Sequence, residues 1–178
     1  MQGQSVWRRR SGNCERKKDR QMPQQKSRHR RTQMKRFTVR RSRIHGRGVF
    51  ALRPIKAGEL LLEYKGQVIA WRTATQAHRC NGQAGHTFYF GLSNGRVIDG
   101  SSGGNSARWL NHACEPNCQA IESNNRIFIE VTRDVFPDEE LFIDYGLEIS
   151  GDVTELERRA YACRCRSVRC RGTMIARV

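Results

Sequence analysis

From residue 37 onwards, hydrophobic and polar residues alternate over short runs, and turn-forming residues separate these runs. Runs rich in β-branched and aromatic residues and bounded by Gly, Pro or Asn are typical of strands. Because the runs are short, the pattern predicts a mostly β fold of several small sheets rather than one sandwich. The predicted strands cover residues 37–41, 48–52, 59–68, 87–92, 96–99, 126–132 and 141–145.

Two further local signals complete the predicted elements. Asn94-Gly95 lies between two predicted strands and indicates a tight hairpin. Helical periodicity is confined to residues 152–161, where Asp152 can cap the helix and Leu156 shares a face with Ala160. Residues 69–86 have no clean periodicity, so no element is predicted there.

Composition divides the chain into a basic tail and a folded part. Its 178 residues, 37% of them hydrophobic, suit one core. The net charge of +16 is uneven: residues 1–43 hold 16 Lys/Arg against 2 acids, and residues 44–178 hold 17 against 15. A segment so poor in apolar residues cannot offset the entropy cost of ordering. We therefore predict a disordered basic tail over residues 1–36.

The charge of this tail has more than one interpretation. It could bind nucleic acid through phosphates, without sequence preference and in a salt-sensitive way. It could also be a solvated segment without a partner. A third interpretation is that Met22 or Met34 is the true start of the protein.

The sequence lacks the signals of membrane insertion and secretion, which favours a soluble, intracellular protein without a membrane partner. No apolar run approaches the length of a membrane span or of a secretory signal. An Arg-rich leader also fits a mitochondrial transit peptide, although Glu15 and Asp19 argue against it. Seven cysteines, an odd number, fit a reducing compartment better than a disulfide framework.

The last three cysteines indicate a metal site. Cys163, Cys165 and Cys170 have the spacing C-x-C-x4-C, which lets three thiols converge on one ion but leaves a tetrahedral zinc one ligand short. Cys114 is the better fourth ligand, because a turn-forming Pro and Asn follow it. Cys118 is the alternative, and reduced thiols without metal are the other interpretation.

Three more motifs precede this cysteine triplet in a fixed order. Together the four lie between residues 45 and 170, and such an ordered set is more specific than any one of its parts. The three are His45-Gly46-Arg47-Gly48-Val49-Phe50, Asn111-His112-x-Cys114-x-Pro116-Asn117 and Glu140-Leu-Phe-Ile-Asp144-Tyr145.

In these motifs the chain resembles the SET-domain protein lysine methyltransferases that carry a post-SET zinc site. The resemblance implies a SET domain over residues 37–148, with several small sheets, short helices and a knot-like crossing at the active site. It also implies a helix and a zinc-binding lid over residues 149–178. The implied partner is a protein substrate, and the implied cofactors are S-adenosylmethionine and a structural zinc.

The same resemblance implies roles for individual residues. Tyr145 matches the catalytic tyrosine at the end of a lysine channel, and Ile143 and Tyr89 would line that channel. Ile143 departs from the usual Phe or Tyr, and Phe88 stands where many relatives have a cofactor-adjacent tyrosine. The residues expected to bind the cofactor are His45, Gly46, Arg47, Gly48, Phe88, Asn111 and His112.

The resemblance therefore implies methyl transfer from S-adenosylmethionine to the ε-amine of a lysine, in a histone or another basic nucleic-acid-binding protein. The alternative is a non-catalytic SET-like module associated with nucleic acid, which the departures at Phe88 and Ile143 keep open. A monomer is expected. The expected location is the nucleus in a eukaryote, and the cytoplasm or a host cell for a bacterial protein.

Overall fold

A computed structural model describes residues 35–81, 88–149 and 152–176. The predicted disordered tail lies outside the described residues, apart from Lys35 and Arg36. Arg36 pairs with Glu59 at 2.6 Å and so belongs to the folded part. The strands are β1 (Phe37–Arg41), β2 (Arg47–Ala51), β3 (Leu60–Tyr64), β4 (Gln67–Ala70), β5 (Tyr89–Gly91), β6 (Arg96–Asp99), β7 (Asn111–His112), β8 (Cys118–Ser123), β9 (Arg126–Val131) and β10 (Glu140–Ile143). The helices are α1 (Trp71–Asn81), α2 (Glu155–Ala160) and a short 3-10 helix, Ser106–Trp109.

These strands form three small sheets, which confirms the predicted mostly β fold. One sheet has the order β1-β2-β10-β7, and the others have the orders β3-β9-β8 and β4-β6-β5. In the first sheet β10 runs antiparallel to β2 but parallel to β7. The segment 111–112 therefore lies beside the end of β10, where the resemblance implies the knot-like crossing.

The single strand predicted over residues 59–68 is wrong, because the segment divides into β3 and β4. β3 pairs with β9, whereas β4 pairs with β6. The division falls at Gly66, where a Cβ would overlap the carbonyl oxygen of Asp99. This close approach of two backbones turns the chain from one sheet into the next.

The hairpin at Asn94-Gly95 is confirmed. β5 and β6 are antiparallel, and Gly95 adopts a φ of 75°. A second hairpin was missed, because β8 reads as largely polar. Its turn consists of Asn124 and Asn125, with φ values of 52° and 58°, a conformation that Asn tolerates well.

Both helices differ from the prediction. α1 was missed, since only Ala74 of its described side chains is buried and the sequence carries no apolar stripe. The C-terminal helix exists, but Thr154 rather than Asp152 caps it, in a reciprocal capping box with Glu157. Leu156 is 80% exposed, so the predicted apolar face is wrong.

One core joins the three sheets and fixes their mutual placement. Val49 of β2, Leu141 of β10 and Ile129 of β9 are fully buried, and Ile98 of β6 packs with them. Each such side chain contributes roughly 1.5–3 kcal/mol by leaving water. The core thus anchors β10, and β10 positions the residues at its end. Within the described ranges, no helix combines the length and apolarity needed to cross a membrane.

Candidate active site and metal centre

Tyr145 lies two residues after β10, and both its backbone N–H and its hydroxyl are hydrogen-bonded. Its backbone N–H donates to His112 Nδ1 at 3.1 Å, and its hydroxyl donates to the Leu110 carbonyl at 2.8 Å. The residue is 38% exposed overall, yet its hydroxyl end is enclosed. Burial, aided by the charge of Glu140, raises the pKa of the hydroxyl to about 12. Tyr145 is therefore protonated at neutral pH.

His112 connects Tyr145 to a cysteine. Because its Nδ1 accepts from the backbone of Tyr145, the ring proton belongs on Nε2, which lies 3.4 Å from Cys114 Sγ. Burial lowers the pKa of His112, and Arg171 acts in the same direction while Asp144 opposes it. The Asp144 carboxylate approaches Nδ1 at 3.4 Å but makes its hydrogen bonds to Arg171. His112 is thus a neutral link between Tyr145 and Cys114.

Asn111 holds the glycine-rich segment beside β7. Its Nδ2 donates to the carbonyls of His45 and Arg47, at 3.2 and 2.9 Å, and to Glu140 Oε1 at 2.9 Å. Three acceptors around one atom fix the orientation of the amide. The side-chain oxygen of Asn111 receives no hydrogen bond from a described residue, so it can accept one from a ligand.

Glu140 organises the same segment from the other side. Its Oε2 accepts a hydrogen bond from Ser42 Oγ at 3.0 Å. The Ser42 Oγ in turn accepts one from the N–H of Ile44 at 2.9 Å. The N–H of Ser42 donates to the Gly46 carbonyl, which closes the loop. A Cβ on Gly48 would overlap Glu140 Oε1, so the glycine provides space for the carboxylate. Glu140 begins one of the sequence motifs, but the sequence predicted no role for it.

Aromatic rings and two arginines form one wall beside this segment. The rings of Phe88 and Trp109 meet edge to face at 5.2 Å. The guanidinium groups of Arg47 and Arg108 lie 5.2 and 4.9 Å from the centre of the Trp109 ring. Arg108 Nε is buried and has no partner among the described residues. A buried donor without an acceptor indicates a missing partner, and sequence reasoning overlooked this arginine.

The two residues expected to line the channel occupy different positions. Tyr89 lies on the edge strand β5, and alternation places it on the face opposite Phe90, which packs on Tyr64 at 5.3 Å. The structure therefore does not bring Tyr89 to the face that Phe90 and Tyr64 share. Ile143 is 4% exposed and pairs with His112 across the parallel strands, close to Tyr145.

Four cysteines from two distant segments converge. The sulfurs of Cys114, Cys163, Cys165 and Cys170 all lie within 4.8 Å of one another. Cys114 Sγ is 3.7 Å from that of Cys163 and 3.9 Å from that of Cys170. A tetrahedral zinc with bonds of about 2.3 Å requires sulfurs about 3.8 Å apart. The four thiols therefore fit a zinc ion, with Cys114 as the fourth member of the set.

Backbone donors around the sulfurs stabilise thiolates, which a metal requires, although burial raises the pKa of Cys114 and that of Cys163. The N–H of Arg171 donates to Cys114 Sγ at 3.3 Å, and that of Gly172 donates to Cys170 Sγ at 3.4 Å. Although burial opposes it, hydrogen bonds from Cys114 N–H and Ser167 lower the pKa of Cys165 to about 6.

Cys118, the alternative fourth ligand, lies elsewhere. It is fully buried in the core, and its Sγ faces Asn117 Oδ1 at 3.7 Å. Burial raises the pKa of its thiol to about 12. Cys118 is therefore a core residue outside the cysteine cluster.

The segment 163–175, called the lid below, is fastened beside Tyr145. Arg171 makes a two-pronged ion pair with Asp144, at 2.6 and 2.8 Å. The N–H of Leu147 donates to the carbonyl of Met174 at 3.1 Å. The cysteine cluster and these bonds thus hold the lid against the residues that follow β10.

Comparison with known proteins agrees with this arrangement. The family model described as SET domain matches residues 46–146. The chain is 33% identical over 138 residues to "Histone-lysine N-methyltransferase, H3 lysine-4 specific" of Yarrowia lipolytica, covering 74% of this chain and 11% of that protein. It is 36% identical over 146 residues to human "Histone-lysine N-methyltransferase SETD1A", covering 79% of this chain and 8% of that protein.

A third relative, human "Histone-lysine N-methyltransferase 2B", is 37% identical over 138 residues, covering 75% of this chain and 5% of that protein. The chain therefore spans only a small part of the length of the curated relatives it matches. The match to the family model, in contrast, covers more than half of the chain, from residue 46 to residue 146. On that ground the chain belongs to the SET domain family.

Proposed function

We propose that this protein transfers a methyl group from S-adenosylmethionine to the ε-amine of a lysine in a protein substrate. The observation that carries the proposal is the buried, protonated hydroxyl of Tyr145, which donates to the carbonyl of Leu110 in a SET domain. The next residue, Asn111, in turn bonds the glycine-rich segment 45–48. The relatives named above are histone-lysine N-methyltransferases, so a histone is the proposed substrate class.

On the substrate side, the lysine must be neutral to act as a nucleophile. Because a lysine side chain in water has a pKa of about 10.4, forming the neutral amine near pH 7.4 costs about 4 kcal/mol. Transfer into a water-poor channel lowers the amine pKa and reduces this cost. The Tyr145 hydroxyl donates a hydrogen bond to the Leu110 carbonyl, so the lone pairs of its oxygen are free to accept a hydrogen bond from an N–H of the amine. Its role is to orient the amine, because an un-ionised phenol is a poor base.

On the cofactor side, the polar groups of this chain fit an amino acid moiety. The side-chain oxygen of Asn111 suits an ammonium group, and the vacant Nε of Arg108 suits a carboxylate. Arg47, whose guanidinium group also lies near the Trp109 ring, is a second carboxylate candidate. S-adenosylmethionine, when bound, supplies an electrophilic methyl group on a sulfonium. The backbone of 45–48 and the ring of Phe88 would shape the remainder of that site.

The four cysteines would hold a structural zinc outside the reaction. Cys114 belongs to the turn after β7, and the other three ligands belong to the lid. A metal joining them would fix the lid beside Tyr145, which helps to exclude water from the channel. The link from Cys114 through His112 to the backbone of Tyr145 makes the position of Tyr145 depend on this centre.

The proposed setting is chromatin or another complex of nucleic acid with basic proteins. A basic enzyme repels a basic substrate unless nucleic acid brings the two together. The charge of +16 favours such recruitment. The proposed location is therefore wherever such complexes occur, which is the nucleus in a eukaryotic cell.

Mass spectrometry of core histones and of a basic DNA-binding protein, incubated with the protein and deuteromethyl S-adenosylmethionine, tests the proposal. Site-specific label on lysines that is absent with the Tyr145→Phe variant would support it. Cofactor binding without label on either substrate class would instead favour the non-catalytic binding module.

A further inference from the structure

An open cleft outside the candidate active site is lined by Arg41, Ser42, Arg43 and Arg166. The first three residues end β1 and begin the loop that leads to the glycine-rich segment, whereas Arg166 belongs to the lid. The fold thus brings together three arginines from segments more than a hundred positions apart in the chain. All three side chains are exposed.

These arginines differ from the many surface cations that are held in ion pairs. Arg36, Arg40, Lys56, Arg126 and Arg133, for example, each pair with a carboxylate. By contrast, Arg41, Arg43 and Arg166 make no ion pair or side-chain hydrogen bond with any residue that the structure describes. Ser42, the remaining lining residue, is bonded to Glu140, whose carboxylate is shared with Asn111. Within the described part of the chain, no carboxylate therefore pairs with the arginines of the cleft.

The backbone of Arg166 supports the same conclusion. Its φ of 59° is uncommon for a residue other than Gly, Asn or Asp. A left-handed arginine between Cys165 and Ser167 places its charge close in sequence to Arg164, and neither side chain has a carboxylate partner among the described residues. The other two arginines of the lid are paired, Arg169 with Glu115 and Arg171 with Asp144.

We propose that this cleft binds the phosphodiester backbone of a nucleic acid. Guanidinium groups present forked donors that match phosphate oxygens, and three of them around an open cleft suit successive phosphates better than one small anion. An acidic polypeptide is the competing ligand class, and the test below separates it.

Such binding has a consequence for the neighbouring site. Arg41 and Arg43 lie on either side of Ser42, whose hydroxyl bonds to Glu140, and Arg166 belongs to the lid. A nucleic acid that contacts both would hold the lid against this loop. Nucleic acid would then act as a clamp on the domain as well as a tether to the substrate.

The test measures binding of the full-length protein to a short mixed-sequence DNA duplex, by fluorescence anisotropy over a series of salt concentrations. The variant R41Q/R43Q/R166Q is compared with R53Q/R72Q/R158Q, which removes the same charge from exposed arginines elsewhere that form no ion pair with a described residue. We expect the cleft variant to reduce the slope of log K against log salt by about 0.9 per lost contact, or about 2.7 in total. The control variant should change the slope by less than the amount expected for one lost contact, about 0.9.

A parallel titration with single-stranded RNA, for which each contact contributes about 0.7 to the slope, shows which polymer the cleft prefers. Equal slopes for the cleft and control variants with both polymers would overturn the proposal. So would a cleft variant that loses affinity for polyglutamate but keeps the wild-type slope with nucleic acid. If Arg166→Gln disturbs zinc content, R41Q/R43Q decides alone, with an expected loss of about 1.8 in slope on DNA. None of these measurements depends on methyl transfer.

Discussion

Gly48 and Glu140 occupy adjoining space, and neither could be changed without affecting the other. A Cβ on Gly48 would lie 2.8 Å from Glu140 Cδ and would overlap Oε1. That carboxylate bonds Ser42 and Asn111, which between them fix the loop 42–48. The absence of a side chain at Gly48 therefore provides space for the Glu140 carboxylate as well as for a ligand.

Gly48→Ala should displace the Glu140 carboxylate and loosen the segment proposed to bind S-adenosylmethionine. Overpacking of this kind costs about 1–3 kcal/mol of folding free energy. We expect cofactor affinity, measured by calorimetry, to fall by at least about tenfold, which corresponds to about 1.4 kcal/mol. Gly91→Ala is the matched control, because its Cβ would meet only Trp71, at an ordinary 3.9 Å.

The Gly48→Ala effect should depend on Glu140. In a Glu140→Ala background the added methyl has room, so the two substitutions should be strongly non-additive in a double-mutant cycle. Additive losses of affinity and stability would show that Gly48 acts through something other than this carboxylate.

Tyr145→Phe should abolish most methyl transfer while the fold remains. The variant loses one hydrogen bond to Leu110, worth about 1 kcal/mol of stability. Loss of the group that orients the amine should lower kcat by about 10²-fold or more. Tyr161→Phe is the control, because no described residue bonds the Tyr161 hydroxyl. An active Tyr145→Phe enzyme with unchanged kcat would remove this hydroxyl from the mechanism.

The three cysteines of the lid were predictable from the sequence because their spacing reflects local chemistry: Cys163, Cys165 and Cys170 lie within one loop. Tyr145, two residues after β10, was singled out through the family resemblance and not through spacing. Arg108 was overlooked because nothing in its neighbourhood along the chain reveals a buried Nε without a partner. Glu140 was given no role for a similar reason: the two partners of its side chain, Ser42 and Asn111, come from two segments distant from it in sequence.

The missed elements have a comparable cause. α1 buries little more than Ala74 and therefore lacks the apolar stripe on which a helix prediction depends. The break between β3 and β4 arises from the contact of Gly66 with Asp99, which are distant in sequence. Periodicity reports local burial, whereas these features depend on tertiary contacts.

Cys114→Ser should lower the zinc content below one ion per chain, whereas Cys118→Ala should leave it unchanged. Cys114 lies in the cluster and Cys118 in the core. Elemental analysis of the purified proteins measures the metal. Hydrogen exchange should become faster over the lid in Cys114→Ser but not in β9, because the metal holds only the former. Equal zinc in both variants would contradict the four-cysteine site.

Stability should fall in the alkaline range. Burial raises the pKa of Cys118 from 9.0 to about 12 and that of Tyr145 from 10.0 to about 12. Above pH 9 the unfolded chain releases these protons before the native state does, so unfolding becomes more favourable. The stabilisation is complete below about pH 9 and is lost as pH approaches about 12.

Urea unfolding across this pH range provides the measurement, on protein with its zinc content verified. Cys118→Ala should flatten the decline by up to about 1.36 kcal/mol per pH unit, the limit for a single proton. A decline as steep as in the wild type would show that Cys118 does not contribute. Cys14→Ala is the control, because composition predicts Cys14 to belong to the disordered tail, which lies outside the described residues.

Ile143 should permit the addition of more than one methyl group. It is nearly fully buried at the end of β10, close to Tyr145, and an aliphatic side chain offers no hydroxyl to hold a water beside the amine. Space that a water would occupy is then available to a methylated amine. A mass-spectrometric time course should show dimethyl or trimethyl lysine following the monomethyl product, whereas Ile143→Tyr should stop at one methyl group. Strict monomethylation by the wild-type enzyme, with substrate in excess and in deficit, would show that another residue limits the channel.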